Sequence, residues 1–109
     1  MAAHYKYIDG NNNTYVIQAG SIEYIPITKA QSSSGAYSGG APAKATITQL
    51  QYNGIVTLLD EMIEDMPNRI VDRNMGCGTV VKGDERTYVQ MKSPLKSRLE
   101  RELRALVEA

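Results

Sequence analysis

Tryptophan and phenylalanine are missing from this 109-residue chain, and histidine and cysteine occur once each, as His4 and Cys77. A single cysteine closes no internal disulfide, which excludes a disulfide-stapled scaffold and fits a reducing compartment. One His and one Cys also fall short of the four ligands of a structural zinc site, and no loop has the carboxylate spacing of an oxygen-ligand site. Neither a metal nor another cofactor is expected. Net charge is lacking too: 12 basic side chains balance 12 acidic ones. Neutrality removes the long-range attraction to phosphate backbones, so nucleic acid is not an expected partner. No apolar run approaches the roughly 20 residues of a membrane span. The start, Met1-Ala2-Ala3-His4-Tyr5-Lys6, has no basic stretch followed by an apolar one. The expectation is a cytoplasmic chain without a membrane partner, folded as a single domain over residues 1–109.

What is present in quantity is tyrosine, with seven residues. A tyrosine ring supplies apolar area but keeps a hydroxyl that wants a partner, so these rings belong at the edge of a small core. In the first half, tyrosines and β-branched residues alternate with polar ones at a period near two, the pattern of half-buried strands. Tyr5 and Tyr7 share one face of a first strand, which ends at the turn cluster Asp9-Gly10-Asn11-Asn12-Asn13. Strands over 14–19 and 21–28 follow, the latter with Ile22 and Tyr24 on one face and Pro26 confined to an edge, a bulge or the strand end. Residues 43–47 resume the pattern. Residues 79–82 and 86–91 flank Gly83-Asp84-Glu85 as a second hairpin.

Two helices are predicted from local signals. Thr48-Gln49-Leu50-Gln51 is a capping box with Ile47 and Tyr52 at the staple positions. Behind it Tyr52, Ile55, Val56, Leu59, Met62, Ile63 and Met66 form an apolar stripe that Pro67 ends. Gly54 inside this helix suggests a close approach to the sheet. Ser93-Pro94 opens a final helix, with Leu95, Leu99, Leu103, Leu106 and Val107 as its apolar side. The fold class is therefore α+β, a mainly antiparallel sheet of about five or six strands with two helices packed on one face. Residues 48–66 carry a net charge of −4 and residues from 92 onward +2, so helices lying side by side would set an acidic flank against a basic one.

Residues that carry chemistry are few. Cys77 sits between glycines that would leave its sulfur approachable, and with His4 as base it would make a thiol-dependent enzyme or redox sensor. A small buried cysteine in a glycine turn explains the same residues without catalysis. The leucine side of the last helix is compatible with a homodimer seam and equally with an internal core. The long Ser/Gly-rich loop at about 30–42 contains one large side chain, Tyr37, among small adaptable polar residues, the composition of recognition loops. It lacks the lysine and spacing of a phosphate-binding loop. Ser33, Ser34, Gly35, Tyr37, Ser38 and Gly39 are thus the candidate partner-binding residues. The expected function is that of a small non-catalytic protein-binding module, a regulator or inhibitor, contacting a protein partner through this loop or through a sheet edge. The thiol chemistry of Cys77 is the alternative.

Overall fold

A computed structural model describes residues 4–27, 42–71 and 76–108. The strands are β1 (Tyr5–Ile8), β2 (Thr14–Gln18), β3 (Ser21–Ile25), β4 (Ala43–Thr46), β5 (Arg69–Ile70), β6 (Gly78–Lys82) and β7 (Glu85–Val89), and the helices are α1 (Gln49–Glu64) and α2 (Pro94–Glu108). All seven strands join one sheet in the order β4-β3-β2-β1-β6-β7-β5, and every pairing is antiparallel. The class is α+β as the patterning predicts. The sheet is larger than expected by one strand, β5, whose two residues are too few to show a period and form only by pairing with Val89 and Tyr88.

The turns follow from the residues that make them. Asp9 Oδ1 accepts the backbone amides of Asn11 and Asn13, both at 2.9 Å, and Asn12 takes the left-handed conformation at φ 68°. Pro26 ends β3 because it has no amide for the ladder. Gly83 turns at φ +60° to close the β6–β7 hairpin, whose register sets Lys82 opposite Glu85.

Alternation sorts the strand residues between two faces. Tyr5, Tyr7, Tyr15, Ile17, Ile22, Val80 and Val89 are buried on the face that the helices cover, together with Ile55, Leu58, Leu59 and Met62 of α1 and Leu99 and Leu103 of α2. Each fully buried aliphatic side chain stabilises the fold by about 1.5–3 kcal/mol. The capping box forms as written in the sequence: Thr48 Oγ1 accepts from the Gln51 amide at 3.1 Å, and Gln51 Oε1 accepts from the Thr48 amide at 2.8 Å. Asp65 caps the other end of α1, and Pro67 lies in a short 3₁₀ turn over Met66–Asn68. Two details of the α1 stripe are corrected. Leu58 is buried, while Met66 is largely exposed because it falls beyond the helix. Gly54 approaches nothing: a Cβ there would meet open space, in a groove between α1 and α2 that Ile55, Ala105 and Leu106 help to line.

Candidate functional site

Cys77 and His4 lie at opposite ends of β6. β1 runs antiparallel to β6 with Tyr5 opposite Lys82, and the His4 carbonyl accepts the Gly83 amide at 2.9 Å, whereas Cys77 precedes Gly78 at the far end. Six residues of extended chain separate the two, about 20 Å. His4 is exposed and Cys77 is only 2% exposed. The flanking glycines therefore do not open the thiol, as the sequence suggested, because they serve packing instead. A Cβ on Gly78 would stand 2.5 Å from the Tyr7 hydroxyl, and one on Gly76 would stand 2.8 Å from the Met91 sulfur. Among the described residues no group of three or more His, Cys, Asp or Glu side chains is placed to hold a metal ion.

The partner-binding candidates Ser33, Ser34, Gly35, Tyr37, Ser38 and Gly39 lie outside the described residues. The residues that bound that segment are described. Asn13 is buried at 3% exposure, its amide nitrogen donates to Asp9 Oδ2 at 3.1 Å, and its Oδ1 accepts the Ile27 amide at 3.1 Å. Pro42 immediately precedes β4, whose first residue, Ala43, pairs with Tyr24. Ile27 is thus held by the same aspartate-centred turn that joins β1 to β2.

The face of the sheet turned away from the helices carries side chains suited to interaction. Across six strands one register row reads Ile25, Thr14, Ile8, Thr79, Tyr88 and Ile70. The next row reads Lys44, Glu23, Val16, Lys6, Val81 and Arg86. Ile25 is 45% exposed, Ile8, Val16, Val81, Tyr88 and Ile70 are partly exposed, and Thr79 is buried at 2% exposure. Lys6, Val81, Asp84 and Arg86 surround a hollow of about 330 Å³ on this face. No protein-family model, curated protein or solved structure matches the chain. The surface must therefore be understood from its own chemistry: an apolar band bordered by charges of both signs, without a nucleophile and base in contact.

The charged groups on the other side of the sheet tie the helices down. Tyr5 donates to Asp60 of α1 at 3.0 Å, and Lys82 of β6 meets the same carboxylate at 3.3 Å. Burial, then the bond to Asp60, raises the Tyr5 pKa, while hydrogen bonding to Tyr5 and then to Asp60 raises that of Lys82. Tyr7, fully buried, donates to Glu100 of α2, which pairs with Lys96 at 2.9 Å. Burial, and next the negative charge of Glu100, pushes the Tyr7 hydroxyl far above its ordinary range. The Tyr15 hydroxyl, buried beside Tyr24, is pushed up to about 12. The expected pairing of an acidic α1 against a basic α2 is not what the ion pairs among the described residues show. Asp60 reaches the sheet, and Lys96–Glu100 and Arg98–Glu102 lie within α2.

The sequence reading missed the open face as a candidate. Its signal was present in the off-core positions of the strands, where Ile8, Val16, Ile25 and Val81 stand in place of a purely polar set. Only the pairing register gathers them into rows.

Proposed function

We propose that this chain is a non-catalytic protein-binding module, a regulator or inhibitor, whose contact surface is the open face of the sheet. The observation that carries the reading is the six-strand row from Ile25 to Ile70, apolar or threonine at every position and facing away from both helices, in which every residue except the buried Thr79 is at least partly exposed. A half-buried antiparallel sheet facing solvent ordinarily alternates to polar residues on that side. A contiguous apolar band rimmed by charge is the composition of a recognition surface. Lys6, Arg86, Lys44 and Glu23 on the neighbouring row supply orientation rather than bulk affinity.

The thiol-dependent alternative requires Cys77 to be reachable. Its burial, and its distance from His4, favour the binding reading. Two measurements test the proposal together. Iodoacetamide at neutral pH should leave Cys77 unmodified in the folded chain and alkylate it on unfolding; rapid modification of the folded chain would restore the thiol reading. In host extract, the immobilised chain should retain proteins that a Val16→Asp/Val81→Asp variant of unchanged circular dichroism loses. An identical retained set on both would contradict the assignment of the surface.

A further inference from the structure

The identity of the occupant follows from a symmetry in the open face, and this inference rests on the reading of that face as a contact surface. We infer that the occupant is a second copy of this chain, packed sheet to sheet about a two-fold axis running along β1.

The observation is a palindrome in space. In the first row Ile8 of β1 has Thr14 and Thr79 on either side, with Ile25 and Tyr88 beyond them. In the second row Lys6 has Val16 and Val81 on either side, with Glu23 and Arg86 beyond. A two-fold rotation about β1 lays each position over its counterpart across the axis, the self-complementary geometry of an isologous contact. Valine then meets valine, and Ile25 meets Tyr88 of the second copy; Thr79, 2% exposed, is covered within its own chain and adds no contact. At the ends of the second row Glu23 of each copy meets Arg86 of the other, so one complementary charge pair is made twice. The match spans β3, β2, β1, β6 and β7 and leaves out Lys44 and Ile70 beyond it, and reversing the sign of Glu23 or Arg86 would set like charges together.

The size of the contact sets its strength. Five strands about 4.8 Å apart and five residues long make a face of roughly 24 by 16 Å, below the roughly 800 Å² per partner of a standard interface. The dimer is therefore weak and concentration-dependent. Lys6 is the single unfavourable position, because the axis sets it against itself.

Sedimentation velocity from micromolar to millimolar concentration tests the inference, with circular dichroism verifying that each variant folds. The chain should shift from monomer to dimer over this range. Glu23→Arg alone and Arg86→Glu alone should each weaken the dimer at least tenfold, the two together should restore it, and Lys6→Ala should tighten it. A chain that stays monomeric throughout, a dimer indifferent to the single reversals, or a double reversal that fails to rescue would overturn the inference. Monomeric behaviour combined with Val16- and Val81-dependent retention of another protein would overturn the second copy alone and leave the contact surface standing. Loss of both would overturn the surface as well.

Discussion

A methyl group added at position 78 and one added at position 54 should act in opposite directions. Gly78→Ala drives a Cβ to within 2.5 Å of the hydroxyl and 3.0 Å of the ring of the fully buried Tyr7, and should destabilise the chain by about 1–3 kcal/mol. Gly54→Ala meets nothing within 4 Å and replaces the costliest common helix residue after proline, so it should stabilise by up to about 1 kcal/mol. Urea unfolding of the two variants measures both signs. Tyrosine ionisation gives a second consequence. The folded pKa of Tyr15 is raised to about 12 and that of Tyr7 further in the same direction, whereas an unfolded tyrosine ionises near 10.0. A raised folded pKa means that the stabilising advantage is complete below pH 10 and is lost as pH rises toward 12. Stability should therefore fall above pH 10, with tyrosinate absorption from these two rings appearing together with loss of far-ultraviolet circular dichroism. Their full ionisation in a chain still folded would contradict the burial argument. None of this was legible residue by residue. The glycines around Cys77 signalled an open thiol, and only Tyr7, about seventy positions earlier, explains why they are glycines.

At the scale of elements, legibility followed locality. The capping box of α1 was readable because its partners are three residues apart, and Thr48→Ala should cost about 1 kcal/mol, read from thermal or urea unfolding. The Asp9–Asn13 turn was readable as a reversal, but its hold on Ile27, fourteen residues from Asn13, was not. Asp9→Ala removes the acceptor of two backbone amides and of the Asn13 side chain, so it should cost about 1–3 kcal/mol and speed hydrogen exchange at the Ile27 amide. Unchanged exchange there would mean that Asn13 holds the strand end without the aspartate. Strand β5 escaped the reading because two residues carry no period, and its pairing with β7 is a tertiary fact. Helix charge misled for a related reason. Composition gave the sign on α1 and α2 correctly, yet Asp60 found Lys82 on the sheet, since the helix faces that touch are chosen by Leu58, Leu59, Leu99 and Leu103 rather than by the weaker exposed ion pairs.

Taken as a whole, the chain has zero net charge, and charges of opposite sign border the open face of its sheet. Neutrality argued against attraction to nucleic acid from the start; the register shows where the local charges stand, with Glu23 at one end of a row and Arg86 at the other. The α+β class and the order of the main elements came from periodicity. The contact surface did not, because alternation names which residues leave the core but not which of them become neighbours. The most direct measurement of the central claim is photo-crosslinking from Val81, on the open face, compared with Leu50, which is 82% exposed on α1. The account predicts a crosslinked protein adduct, to a second copy or to another protein, from Val81 and none from Leu50. Adducts of equal yield from both positions, or from Leu50 alone, would contradict it.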